Sequence, residues 1–291
     1  MAVRSHLLRG AAFGPFRGKE TGGQTLAEEL RPLTPDESLT IYDKGFLNYG
    51  ALWRHHHDDE GQPTNRHFLI RAKTNLKWKT LAVFGPGDEL VEVTLSSQSR
   101  KKDPGLPRKM RLRVVSYQVQ GWPERKLMTS LLDPEQCPAR ELAALYHERW
   151  ETEIGYAELK TTMLQRKESL RSKKPDGVRQ EIWGILLAYN LVRQMILEAA
   201  DEADLPPTRI SFKNALHLVR TFCTMNAWHA PAGTMKTELQ MLREMLAVLI
   251  LPERRPERRY PRHVKIKMSG YKRNPGRTNS TDRDRGENAL K

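Results

Sequence analysis

An α/β fold is the class this sequence predicts, and three stretches carry the prediction. Residues 38–73 run strand, helix, strand over short links; residues 74–131 hold alternating, β-branched runs; from 139 onward the apolar spacing is helical. With 291 residues, 38% hydrophobic and 29% charged, the chain can bury one large core or two modest ones and is too apolar for a disordered tail.

Taken in order, HLLRGAAFG (6–14) reads as a short strand stopping at Gly14-Pro15, and QTLAEELR (24–31) as a short helix. SLTIYD (38–43) is a compact strand, FLNYGALWRHH (46–56) a helix and HFLIRAK (67–73) another strand, the pattern of a parallel α/β unit. HHHDDEG (55–61) has metal-binding residue types. Consecutive histidines diverge on a helix, however, where a zinc pair uses i, i+4 spacing, so the run reads as a fraying helix end before a Gly turn. ELVEVTL (89–95), MRLRVVSYQV (110–119) and KLMTSLL (126–132) form an antiparallel segment broken by Pro104-Gly105 and Gly121-Trp122-Pro123. Residues 139–164, with no proline and one glycine, predict a single helix of about seven turns. Residues 179–203 are apolar enough for the core, and 209–222 and 236–250 complete the helices.

The charge balance is 49 Lys+Arg against 35 Asp+Glu, a net +14, which points to polyanions as partners, nucleic acid before anionic membrane. Residues 252–291 carry 13 Lys+Arg and 5 Asp+Glu, a net +8, in a Pro-, Gly- and Ser-rich context. They read as a largely disordered basic tail, either solvated or in loose contact with phosphates. No run of eighteen apolar residues occurs, so no transmembrane helix is expected, and MAVRSHLLRGAAF lacks the apolar stretch of a secretory signal. Cys137 and Cys223 are too few for a disulfide framework and suit a reducing, cytoplasmic setting.

The segment from Tyr146 to Lys160 carries the chemistry. On a helix at 100° per residue, Tyr146, Arg149, Glu153 and Lys160 fall within an arc of about 60°, stacked over some four turns. A carboxylate flanked by an aromatic, a guanidinium and an ammonium suits phosphodiester chemistry: the carboxylate would hold Mg²⁺, and the cations would fix phosphates and neutralise transition-state charge. The plainer alternative is an i, i+4 Arg–Glu pair on a surface helix.

The spacing Tyr-x2-Arg-x3-Glu-x6-Lys resembles the signature of the IS4 family of bacterial insertion-sequence transposases. Asp43-Lys44-Gly45-Phe46 after SLTIY resembles that family's second-aspartate motif, and GAAFGPFRGKET (10–21), LIRAKTNL (69–76), LAALYHERWE (142–151), LAYNLVR (187–193) and RYPRHVKIK (259–267) are similar to family text. The resemblance implies an RNase H-like catalytic core with a β-rich insertion between the second aspartate and the glutamate, followed by C-terminal helices. Asp43 and Glu153 lie 110 residues apart with the strand-rich stretch between them. It implies five regions: a partial core over 6–73 with Asp43, an insertion over 74–135, core helices over 136–205 with Glu153, a helical region over 206–251 and the basic tail over 252–291. Three carboxylates in such enzymes hold two divalent ions, normally Mg²⁺ with Mn²⁺ as a substitute, one activating water or a 3′-hydroxyl and the other stabilising the leaving oxygen. By position Asp43 and Glu153 are two of those ligands. Tyr146, Arg149 and Lys160 would grip the terminal phosphates, and Trp150 would stack on an unpaired base or pack in the core. The implied partners are insertion-sequence ends and target DNA, with a homodimer assembled on DNA, at the nucleoid and away from membranes.

One part of the pattern is not found. The first catalytic aspartate stands in the family on a core strand upstream of the segment resembling HLLRGAAFGP, and here only MAVRS precedes that segment. Asp36 lies in a turn before the Asp43 strand, and Asp58 and Asp59 in a loop after it. The expectation is a truncated core that supplies the third to fifth sheet strands, exposes a strand edge and is inactive alone. On that basis the competing function is a non-catalytic DNA-binding or dimerising fragment that modulates a full-length transposase.

Overall fold

Short β-branched runs, alternating in side-chain direction, build one mixed sheet of six strands. The computed structural model describes residues 1–15, 22–58, 60–118, 123–165, 170–229 and 233–253. The helix α1 (Gly23–Leu30) leads into β1 (Ser38–Tyr42), and α2 (Tyr49–His56) crosses to β2 (Arg66–Arg71). Then come β3 (Lys79–Gly85), β4 (Asp88–Thr94), α3 (Ser97–Lys102), β5 (Lys109–Tyr117) and β6 (Arg125–Thr129). The sheet order is β1-β2-β6-β5-β4-β3. Only β1 and β2 are parallel, in the register Tyr42↔Ile70, as the strand–helix–strand reading predicts. The remaining pairs are antiparallel.

Because side chains alternate, the sheet buries both faces. Phe68, Ile70, Val91, Val93, Leu112, Val114 and Met128 form one core with Leu52 of α2. Their neighbours Leu69, Val115 and Leu127 point the other way, onto Leu142 and Tyr146 of α4 (Ala139–His147). After α5 (Trp150–Ala157) come α6 (Pro175–Glu202), α7 (Phe212–His229) and α8 (Met235–Ala247), which share a separate core around Tyr189, Ile196, Phe212, Leu242 and Leu246. No helix among the described residues is long and apolar enough to cross a membrane.

Several sequence expectations need correction. Residues 6–14 form no strand. They lie across α6 instead: the Leu8 backbone N–H donates to the Asn190 side chain at 2.9 Å, and the Asn190 amide donates back to the Leu8 carbonyl at 2.7 Å. A third sheet strand is therefore not supplied by this segment. The predicted helix over 139–164 is interrupted. Backbone bonds from Arg149 to Tyr146, Glu151 to Glu148 and Thr152 to Arg149 span three residues, tightening the chain between α4 and α5, and Glu158–Met163 is a π-helical turn. The strand β3 and the short helix α3 had no clear periodic signal. The strands of 74–135 join the sheet of β1 and β2 through β6. The chain divides after Leu251, and of the basic tail residues 254–291 lie outside the described set.

A buried ion pair fastens the central strands to the loop that enters α4. Arg113, on β5 and fully buried, donates through Nε and Nη2 to both oxygens of Asp88 at 2.7 and 2.6 Å. Its Nη1 donates to the carbonyls of Asp133 and Cys137 at 3.2 and 2.6 Å, in that loop. Asp88→Ala strands a buried guanidinium and should cost about 3–5 kcal/mol in urea denaturation.

The histidine run ends α2 with its rings engaged rather than frayed. His56 donates to the Arg66 carbonyl at 2.9 Å and His57, stacked on Trp53, to the Trp53 carbonyl at 3.1 Å. His55 is buried, accepts from the Tyr42 hydroxyl at 3.2 Å and donates to the His67 carbonyl at 3.1 Å. Burial pushes the His55 ring down to about 4, and burial also lowers His56, His57 and His67. The folded state therefore prefers neutral rings, and their contribution is complete above the unfolded value near 6.5 and is lost as pH falls toward 4. Melting temperature should drop between pH 7 and 4.5, and His55→Asn should flatten that drop. An unchanged pH profile in the variant excludes His55 as its source.

Candidate active site

Parallel strands end on the same side of a sheet, and loops beyond their C-terminal ends are where open α/β sheets place ligands. Asp43 follows the last residue of β1 and Arg71 closes β2, one step beyond the Tyr42↔Ile70 pair. The Asp43 carboxylate is held there by its own turn: one oxygen accepts from the Gly45 N–H at 3.1 Å. The other lies 3.5 Å from Nη1 of Arg149.

That guanidinium nitrogen also lies 3.3 Å from Oε1 of Glu153, to which Nη2 donates at 3.3 Å as well. One nitrogen thus joins two carboxylates from elements 110 residues apart. Asp43 and Glu153 are about half exposed, whereas Arg149 is four-fifths covered. Its Cζ lies 6.0 Å from the Tyr146 ring centre and 5.7 Å from that of Trp150, so two aromatic faces back the cation.

The other expected site residues fall differently. Tyr146 is nearly buried; its ring packs on the sheet and sits 6.3 Å from that of Tyr117. Burial raises its hydroxyl above the ordinary tyrosine value, with the Asp43 charge acting in the same direction and Arg149 and Arg71 opposing it. Trp150 is two-fifths exposed rather than a core residue. Lys160 is exposed on the π-helical turn and makes no ion pair with the carboxylates among the described residues. Asp36 precedes β1 at the opposite end from Asp43 and lies 3.6 Å from Arg66, so it cannot join the cluster. Asp58 caps its own turn by accepting from Gln62, and Asp59 lies outside the described residues.

Sequence reading missed Arg71 and the buried group that fixes the helix. The parallel register is the signal that could have found Arg71. The other group has none, because its members lie far apart in the chain. Arg193 of α6, fully buried, donates to both oxygens of Glu158 on the π-helical turn, to Oε2 at 3.1 Å, and its Nη2 lies 2.7 Å from Nδ1 of His6. The Tyr189 hydroxyl donates to the same Glu158 oxygen at 3.0 Å, and Nε2 of His6 lies 3.1 Å from Glu151. Burial pushes Glu158 upward, but the His6 contact and the Arg193 charge outweigh it and hold the carboxyl below its usual value. Gly155 admits the approach of Met1, whose sulfur lies 2.6 Å from where a β-carbon would stand. The segment Met1–Leu8 therefore clasps the helix that bears Glu153.

The two carboxylates would hold one divalent ion that also takes phosphate oxygens and water, the coordination Mg²⁺ prefers, while the adjacent cations would face the phosphate. No cluster of three or more His, Cys, Asp or Glu suited to a metal occurs among the described residues.

The model of the transposase DDE domain family matches residues 5–191. Over 284 residues the chain is 38% identical to the transposase InsG for insertion sequence element IS4 of Escherichia coli (strain K12), covering 96% of this chain and 61% of that relative. The chain thus spans about three-fifths of the relative's length. With the α/β sheet and the cluster at its strand ends, the family match shows that the chain belongs to the transposase DDE domain family.

Proposed function

We propose that the chain provides the DNA-end-handling part of an IS4-like transposase, taking part in divalent-metal-dependent cleavage and strand transfer at insertion-sequence ends. The observation that carries this reading is the junction of Asp43, Arg149 and Glu153. In it Asp43 and Glu153 hold the ion, Mg²⁺ by its preference for few carboxylates together with phosphate oxygens, with Mn²⁺ as a substitute. Bound there, the ion supplies charge stabilisation to the reacting phosphate. Arg149 offers a planar fork of donors for a phosphate, Arg71 and Lys160 add positive charge, and the two-fifths exposed Trp150 would stack on a base. Tyr146 acts mainly by holding α4 to the sheet. A homodimer on the DNA and residence at the nucleoid belong to the same proposal.

A pair of ions needs a third carboxylate, which in this reading comes from outside the described residues or from another polypeptide. The second reading, a DNA-binding or dimerising fragment that modulates a full-length transposase, draws support from the same two-carboxylate set. One assay separates them: nicking of DNA bearing matched terminal repeats, with Mg²⁺, by the chain alone and with the unmatched part of the relative fused or added in trans. The first reading expects nicking on addition and its loss by orders of magnitude in Glu153→Gln. Binding without nicking in both cases favours the second. Robust nicking by the chain alone that Glu153→Gln removes would show that its own residues complete the site. DNA affinity should fall by about 0.9 log unit per log unit of salt for each phosphate contact, and deleting 252–291 should flatten that slope. A slope unmoved by the deletion makes the tail a bystander.

A further inference from the structure

Arg149 occupies an unusual place for a residue meant to grip DNA. Its guanidinium is spent on the same two carboxylates that would hold a metal ion, through one nitrogen shared between Asp43 and Glu153. The contact is more than a helical i, i+4 pair, since Asp43 comes from the end of β1. The pose is supported from behind by the Tyr146 and Trp150 rings.

We infer that Arg149 is a resident counter-ion that couples metal binding to DNA binding, an inference that rests on reading Asp43 and Glu153 as metal-holding carboxylates. In the free chain the guanidinium neutralises the two acids, and a divalent ion must compete with it for their oxygens. A phosphate from DNA offers Arg149 a bidentate partner. Once the guanidinium turns to the phosphate, the carboxylates regain their full negative field and take the ion. DNA thus raises metal affinity, and by linkage metal raises DNA affinity by the same factor. Both carboxylates are about half exposed, so the exchange needs movement of one side chain and no opening of the core.

The test is Mn²⁺ binding to the full 291-residue chain, followed by the paramagnetic resonance signal of the free ion, with and without a short DNA duplex. The wild-type chain should bind Mn²⁺ weakly alone and more tightly with duplex, by a factor within the roughly 5- to 150-fold range of ordinary coupling. Arg149→Gln should bind Mn²⁺ more tightly without DNA and respond less to duplex than wild type. Arg149→Lys, which keeps a charge without the planar fork, should fall between them. Arg149→Gln that binds Mn²⁺ no better than wild type, or a wild-type affinity indifferent to duplex, overturns the inference while leaving the metal site standing. Glu153→Gln separates the two ideas: if it leaves Mn²⁺ binding unchanged in both backgrounds, the metal reading itself falls, and this inference with it.

Discussion

The arrangement at the strand ends depends on a cation that never meets solvent. Arg113 sits with no exposure inside the sheet, and its charge is answered by Asp88 and by two carbonyls of the loop entering α4. A buried guanidinium stripped of partners is far more costly than any surface pair, so the loop cannot drift without stranding it. The start of α4 is thereby fixed to β4 and β5, and Leu142 and Tyr146 then lay the helix along the sheet. Arg149 comes just past the last residue of that helix, His147, so its distance to the end of β1 is set by a node well behind the site.

The far end of the same segment is fixed by different chemistry. Glu158 is gripped by Arg193, Tyr189 and His6, groups from α6 and from the first turn of the chain. His6 adopts a left-handed backbone, φ 60°, which a non-glycine residue holds only when its surroundings impose it. Polar groups in low dielectric enforce a particular geometry because each unmet partner is penalised. Glu153 therefore lies between two buried ionic anchors while remaining open to solvent itself. Rigid holders around exposed acids are what the proposed handling of DNA would require.

Much of this was legible in the sequence, and the failures have physical causes. The β1–α2–β2 unit follows from β-branched runs and short links, and the Tyr-x2-Arg-x3-Glu spacing brings Arg149 and Glu153 together because i and i+4 share a helix face. The union of Asp43 with them came from the family likeness, since no local rule links positions 110 apart. Residues 6–14 look like a strand because apolar residues in a short run fit either a sheet or a helix surface, and the Asn190 amide decided for the latter. Tyr146 shares the arc with Arg149 yet serves the core, because an arc states direction and not depth. His6, Glu158 and Arg193 were invisible for a simpler reason: buried ion networks leave no periodic trace.

The π-helical turn at Glu158–Met163 changes what the spacing of a motif means. A turn closed over five residues instead of four rotates each successive side chain by a smaller angle, so counting seven positions from Glu153 to Lys160 does not return to the same bearing. Two homologous chains with identical letters at identical intervals could aim that ammonium differently if only one carried the wide turn. The motif is therefore a ruler without a compass: it keeps interval along the chain, while the buried contacts of Glu158 decide orientation.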